Sequence, residues 1–396
     1  MSLVFSSLYA AFDIYPAAKG AAVHIREAAG ALFEYRTPGL LLVLGTPEMP
    51  CRQCEPSGEI RRFFADEPNF LQRAMQFGNF VAKNVEETRN SLSIAQFRDP
   101  WSGIPLLACP HKTFRTIYEV NGLPSIELPS FYPNLSPRTL EKIRAEELLC
   151  LHEADQIVCP SENIRKCLTR LGILESKISV IPNGAGEIWT KSSLPASEAP
   201  RHYLIYFGAL QSWQGLETLL RAFSLLADLE DLVLVLCVSG SKPRMKALKH
   251  LADRLGISHR LLWFAGLSQE ELQPWVRNAQ LSVAPLADVP RNRIQGCCPM
   301  KIIESLAAGV PVVASDLPVV RELMEDGIHG RLVRPDRPSD LARAIRILLE
   351  HPETCSSMGN AGKKRVQEAF TWTKAKSSLH RIFKELVEPT SDNTSS

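Results

Sequence analysis

No run of about 18 apolar residues interrupts the 396-residue chain, so no segment has the length of a membrane-spanning helix. An excess of one charge is missing too: 45 Lys and Arg stand against 43 Asp and Glu, a net +2. That balance argues against a nucleic-acid protein and gives no electrostatic pull toward an anionic membrane. The patterns H-E-x-x-H, G-x-x-x-x-G-K-[ST] and G-x-G-x-x-G do not occur, which disfavours zinc proteases, P-loop nucleotidases and ordinary Rossmann dehydrogenases.

A second cysteine pair at zinc spacing is also lacking. Cys51 and Cys54 form a lone C-x-x-C without a thioredoxin context, which leaves metal or redox chemistry little support. The other cysteines are scattered. Cys159 and Cys237 lie inside apolar, strand-like runs where a thiol behaves as a small hydrophobe, which points to a reducing compartment. Adjacent Cys297 and Cys298 read as shaping a loop. The opening LVFSSLYAAF has no basic leader and stops at Asp13, so it reads as a first buried strand, with a signal peptide as the alternative.

What is present is enough apolar residue, 45%, for two ordinary cores at this length. The chain is organised around Pro290 to Glu322. There Pro299 opens a helix that runs to Leu306 and closes on Ala307, Ala308 and Gly309. A short β-branched strand follows from Pro311 to Ala314, and Ser315-Asp316 leads into the next helical segment. This alternation signals a parallel sheet with helices outside it. Arg291, Arg293 and Lys301 surround the start of the helix, so its exposed N–H groups and positive dipole end would suit a phosphate.

The stretch PMKIIESLAAGVPVVASDLPVVRELMEDGIHGRLV resembles the donor-site segment of the family 4 (group 1) glycosyltransferases. The resemblance is strong over residues 200 to 370 and weaker over 1 to 185. It implies an α/β chain of the GT-B fold, with two Rossmann-like doubly wound domains facing across a cleft and a C-terminal helix crossing back to the first. The N-terminal, acceptor-side domain would take residues 1–185 together with the helix 373–388. A Ser/Ala/Pro/Glu-rich linker would span 186–202, and a nucleotide-sugar domain 203–370. The polar tail from Pro389 reads as frayed.

In chain order, a helical run from Ala21 to Phe33 follows Gly20, with His24 in its first turn. A glycine at a strand-to-helix turn lets a ligand approach the backbone. The resemblance places Gly20 and His24 on the acceptor or sugar side, and a half-buried helix-start histidine is the equal alternative. Leu40 to Leu44 reads as a strand, residues 45–66 as a long loop, Asn69 to Thr88 as a helix and Ser93 to Phe97 as a strand. Arg98 and Asp99 follow that strand's carboxyl end, where ligands bind in open α/β sheets; a surface ion pair is the other reading. Thr116 to Val120 is another strand. Asn121 stands where many relatives have a sugar-contacting histidine, so a role for imidazole falls away and a hydrogen bond to a hydroxyl remains.

In the second half, Tyr203 to Phe207 reads as a strand leading into the turn Gly208 to Gly215. Leu232 to Val238, Leu261 to Phe264 and Leu281 to Ala284 supply further strands, and 336–349, 352–370 and 373–386 read as helices. The family resemblance carries the ribose-binding role to Glu304, which spacing alone would leave as a helix-surface carboxylate. Pro299, Met300, Gly208 and Gln214 would surround the diphosphate, and Gly240 and Leu267 the base. Lys301, Arg293 and Asn121 would carry the chemistry, since a retaining transfer needs the leaving diphosphate's charge stabilised. Two departures stand out. Gly296 replaces the family's paired glutamate, and Ala209 and Gln214 occupy the turn positions where Arg and Lys are common.

The implied activity is a cytoplasmic, nucleotide-sugar-dependent hexosyltransferase acting with retention on a glycan, lipid-linked or small-molecule acceptor in polysaccharide or glycoconjugate synthesis. No D-x-D occurs, so no metal or other cofactor is expected, and no nucleic-acid partner. Peripheral contact with the inner face of a membrane stays open. The departures motivate an alternative, a non-catalytic GT-B binding or scaffold protein in a polysaccharide assembly system.

Overall fold

The computed structural model describes residues 4–191, 196 and 198–388, so the tail from Pro389 and part of the expected linker lie outside the described residues. Two compact units emerge. One takes the described residues up to Ala17, Ala21–Ile181 and those from Ala375 onward; the other takes Ala18–Gly20 and Pro182–Lys374.

The first unit begins with β1 (Ser7–Ile14), α1 (Gly20–Tyr35), β2 (Gly39–Leu44), β3 (Arg52–Glu55), β4 (Gly58–Phe63) and α2 (Phe70–Thr88). It continues with β5 (Ile94–Phe97), α3 (Pro100–Leu107), β6 (Arg115–Glu119), α4 (Pro124–Phe131), α5 (Pro137–Glu153), β7 (Gln156–Cys159), α6 (Glu162–Arg170) and β8 (Ile178–Val180). The strands form one eight-stranded sheet in the order β3-β4-β2-β1-β5-β6-β7-β8. All pairings are parallel except β3 with β4. The chain winds outward from β1 in one direction and then returns to start again at β5. The crevice between the carboxyl ends of β1 and β5 is therefore the switch point, where such sheets bind ligands.

Residues 45–66 are not one long loop but contain β3 and β4. Hydropathy conceals β4 because its Arg61 and Arg62 are charged and yet buried. Arg61 donates to Glu59 at 2.8 Å and Glu87 at 2.9 Å, and Arg62 to the carbonyls of Tyr15 at 2.9 Å and Pro50 at 3.0 Å. Asp99 also proves structural. It caps α3 by accepting from Ser102 N at 2.9 Å and takes Phe12 N at 2.7 Å. Burial pushes its carboxyl up to about 6.

The second unit comprises β9 (Tyr203–Ala209), α7 (Leu216–Ser224), β10 (Val233–Ser239), α8 (Lys242–Arg254), β11 (Leu261–Ala265), α9 (Gln269–Arg277) and β12 (Leu281–Ala284). After these come α10 (Met300–Ala308), β13 (Val312–Ser315), α11 (Pro318–Arg321), β14 (Gly330–Val333), α12 (Pro338–Leu349) and α13 (Pro352–Ala369). Its sheet, β11-β10-β9-β12-β13-β14, is parallel throughout, with the switch point between β9 and β12. Successive strand residues go to opposite layers, as the period of two requires. Leu204, Tyr206, Leu234 and Leu236 pack in one, and Ile205, Phe207, Val235 and Cys237 in the other. The second layer also takes Trp189, from the start of the expected linker, whose ring stacks on Phe207 at 6.1 Å.

The final helix, α14 (Trp372–Val387), returns to the first unit as the GT-B pattern implies. Phe383 packs on Tyr35 of α1 with ring centroids 5.6 Å apart, and the His380 ring nitrogen lies 2.8 Å from the carbonyl of Ala31. No helix among the described residues is long and apolar enough to cross a membrane.

Candidate active site

In the second unit, the switch point sets the turn after β9 beside the start of α10. Lys301, in the first turn of α10 and nearly buried, donates from Nζ to Gln214 Oε1 at 2.6 Å. The same ammonium lies 4.0 Å from the centroid of the Tyr206 ring. A Cβ on Gly208 would come within 3.1 Å of it, so this position keeps room for the lysine only without a side chain. The structure thus brings Gly208, Gln214 and Lys301 together. Because Gln214 turns its carbonyl to the lysine, its amide N–H₂ is the end left to donate.

Glu304 sits one turn further along α10, 7% exposed, and accepts from Gln269 Nε2 at 3.3 Å. Gln269 opens α9 two residues after Leu267, so the predicted Leu267 loop and Glu304 are also neighbours. Burial lowers the Lys301 ammonium to about 7 and raises the Glu304 carboxyl to about 7. Both groups are therefore poised to change charge when a ligand replaces their lost hydration. Pro299 stands at the N-cap of α10 and Met300 at its first position, so the helix starts one residue later than the sequence suggests. Gly240 follows β10, where Leu210 N donates to Ser239 O at 2.8 Å and ties the ends of β9 and β10.

The two arginines of the loop behave differently. Arg293 is exposed and forms a bidentate pair with Asp288, with Nη2 to Oδ2 at 2.6 Å. Arg291 lies over the Trp213 ring at 4.7 Å, and Trp213 belongs to the turn after β9. Residues Arg291–Gln295 form a turn of π-helix that ends at Gly296 with φ 94° and ψ 173°, a backbone shape nearly confined to glycine. The absence of a glutamate at 296 therefore has a local cause.

In the first unit, the carboxyl ends of β1, β5 and β6 meet around a residue that sequence reasoning did not select. Glu119, 2% exposed, receives Tyr9 Oη at 2.9 Å and Gln96 Nε2 at 2.7 Å on Oε2. On Oε1 it receives Asn121 Nδ2 at 2.6 Å and His24 Nε2 at 2.8 Å, with Arg98 Nε 3.4 Å away. Three of the predicted residues, His24, Arg98 and Asn121, thus converge on one carboxylate. Arg98 also donates to the Ala21 carbonyl at 3.1 Å, next to Gly20 at the start of α1. Burial alone would raise Glu119, but His24, Arg98 and Tyr9 hold it down to about 2. The available signal was a charged residue inside the otherwise apolar run Ile117 to Val120.

Two family profiles divide this chain between them. "Glycosyltransferase Family 4" matches residues 19–185 and "Glycosyl transferases group 1" matches 189–365. The chain belongs to the family 4, group 1 glycosyltransferases. Among curated glycosyltransferases, it is 28% identical over 194 residues to the D-inositol 3-phosphate glycosyltransferase of Streptomyces coelicolor, an alignment covering 46% of this chain and 40% of that one. The chain spans 40% to 64% of the length of the first curated relatives it matches. Among solved structures, sucrose-phosphate synthase from Thermosynechococcus elongatus superposes with a TM-score of 0.79 over 97% of this chain and 100% of that one, at 17% identity. HepE of Anabaena, in complex with UDP and glucose, gives 0.74 over 96% and 99%, at 16% identity. These likenesses show the GT-B glycosyltransferase fold.

Proposed function

We propose that this glycosyltransferase moves a hexose-type sugar, with retention of configuration, from a nucleotide-sugar donor to a glycan, lipid-linked or small-molecule acceptor. The observation that carries the reading is the arrangement at α10. Lys301 is buried against Gln214 and Gly208 beside the first-turn N–H groups of the helix, and Glu304 lies one turn on. Such a helix start and a desolvated cation stabilise the charge that grows on a leaving diphosphate. Glu304 would accept from the ribose hydroxyls. Gly240 and Leu267 would border the base, and Gly20, His24, Arg98 and Asn121 would meet the sugar or acceptor. HepE is recorded with UDP and glucose, which makes uridine diphosphate sugars the first donors to try.

In this reading the diphosphate is neutralised by Lys301 and the helix start, without a metal ion, so a chelator leaves turnover intact. The setting we propose is cell-surface polysaccharide or glycoconjugate synthesis on the cytoplasmic side. A second reading, binding without turnover, is favoured by one observation: Ala209 and Gln214 leave the turn after β9 without a cation of its own. The two separate in one experiment. Purified protein is screened for melting shifts and for nucleoside diphosphate release against a panel of nucleotide sugars, with Glu304→Ala as control. A donor at about 100 times its dissociation constant stabilises by about 2.7 kcal/mol. A shift that the control lacks, together with diphosphate release, supports the transferase. A shift without release supports the binding protein, and no shift with any donor sinks the first reading.

A further inference from the structure

Glu119 is assigned no role by the function proposed above, yet it is the centre of the polar cluster at the end of β6. A carboxylate has about four lone-pair sites. Here Tyr9 and Gln96 take one oxygen, and Asn121 and His24 the other. A carboxylate filled in this way has no site left to take a proton from a substrate hydroxyl or to attack an anomeric carbon. What it can do is orient its donors.

The effect on Asn121 is specific. Its Nδ2 lies 2.6 Å from Glu119 Oε1. The flipped amide would set a carbonyl oxygen at that distance from a carboxylate oxygen, with no proton between them. Glu119 therefore fixes which end of the amide faces away, and that end is Oδ1, an acceptor. A histidine at this place could donate or accept according to tautomer; a locked asparagine always turns its Oδ1 acceptor away from Glu119, whatever its second Nδ2 proton meets. Asn121 is itself half-exposed and follows the strand end, where a ligand can reach it.

We infer that Glu119 is a positioning residue that locks Asn121 into an acceptor, so that this strand end selects a substrate group that donates a hydrogen bond, a sugar hydroxyl. The inference rests on the glycosyltransferase reading. The hydroxyl has two sources, the transferred sugar or a sugar acceptor, and the experiment has an arm for each.

The test uses the full chain and a nucleotide sugar that the wild type turns over, with nucleoside diphosphate release as the readout. Glu119→Gln, Asn121→Ala and the double variant are compared. Each single change lowers kcat/KM at least tenfold, and the double variant loses clearly less than the product of the two single losses, because part of the Glu119 effect passes through Asn121 and the rest through His24 and Arg98. A merely structural Glu119 gives losses that multiply, which overturns the inference. Should Glu119→Gln not fold, Asn121→Asp decides. Ionised, at the upper end of the assay's pH range, it keeps an acceptor oxygen at a half-exposed position but cannot donate to Glu119, so there it loses as much as Asn121→Ala; wild-type turnover that persists as pH rises overturns the lock.

Loss already present with water as acceptor, with nucleoside diphosphate affinity unchanged, assigns the hydroxyl to the transferred sugar. Loss only when a sugar acceptor is added assigns it to the acceptor. A wild type that neither binds nor turns over any nucleotide sugar overturns the functional reading and this inference together. Turnover with multiplying losses overturns this inference alone.

Discussion

At the scale of single residues, the α10 pair makes a prediction about protons. Lys301 is lowered to about 7 and Glu304 raised to about 7, each by burial first. A bound diphosphate favours the ammonium and so raises Lys301. In the function proposed above, ribose hydroxyls donating to Glu304 would favour the carboxylate and so lower it. At pH 8 the empty protein holds Lys301 largely neutral and Glu304 largely ionised, and binding takes up a proton. At pH 6 Lys301 is already charged and Glu304 is protonated, so binding releases one. The net transfer, roughly half a proton or more each way, changes sign near pH 7. Calorimetry in two buffers of different ionisation enthalpy measures it, with a nucleotide sugar whose phosphates do not titrate in this range. Glu304→Gln removes the release at pH 6 and leaves the uptake at pH 8; uptake at both values in the wild type would refute the assignment. Lys301 and Glu304 were legible because they sit three apart in one ordered motif. Glu119 was not, because its partners at 9, 24, 96 and 98 come together only when β1, α1, β5 and β6 are assembled.

Elements were legible where their apolar period is unbroken, as in β2 or β12, and hidden where a charged side chain is buried with its partners. β4 is the clear case, since Arg61 and Arg62 read as solvent-facing and instead join β4 to α2 and to the loop after β1. The helix α4 was missed for a related reason: its N-cap is Leu123, which has no side-chain cap. Its cap comes from another helix. Glu147 of α5 accepts from Ser125 N and Ser125 Oγ, both at 2.6 Å. Burial pushes this carboxyl up to about 7 against the pull of the Ser125 bonds. A carboxyl raised in the folded state binds its proton more tightly there than in the unfolded chain. Its contribution is therefore present below the ordinary carboxylate range and is lost as pH rises toward 7. Glu147→Gln can accept from Ser125 N and donate to Ser125 Oγ without carrying charge. Urea unfolding should find the variant more stable by about 3 kcal/mol at pH 8 and nearly equal to wild type near pH 4.5. Equal stability at pH 8 would rule this out. The π-turn makes a second prediction at this scale. Gly296→Glu, which restores the family's paired glutamate, places a side chain at φ 94° and ψ 173°. It should cost about 1–3 kcal/mol of stability and bring no gain in turnover, read by melting and diphosphate release.

At the scale of the whole molecule, the first unit is built from both ends of the chain, with α14 added after the second unit is complete. Composition could not show this; the resemblance to the GT-B pattern did, because the packing of a last helix depends on the connectivity of the fold and not on its own periodicity. The magnitudes say how much the first unit relies on α14. Leu379, Ile382 and Phe383 are 6%, 4% and 0% exposed. Burying three such side chains is worth about 1.5–3 kcal/mol each. Their sum, about 4.5–9 kcal/mol, is comparable to the whole stability of a typical domain, about 5–15 kcal/mol. Ion pairs of Lys376 with Glu27 at 3.4 Å and Glu34 at 3.3 Å add little, since Lys376 and Glu34 are partly or largely exposed. A chain ending at Lys374 should therefore lose the first unit while the second, whose sheet and α10 are intact, still responds to a nucleotide sugar. Limited proteolysis should cut the truncated protein within residues 21–181 well before 203–370, and the donor-dependent melting shift should persist for the protected part. A truncated protein that melts as the full chain does, with 21–181 protected, would show that the first unit does not depend on α14 for its stability.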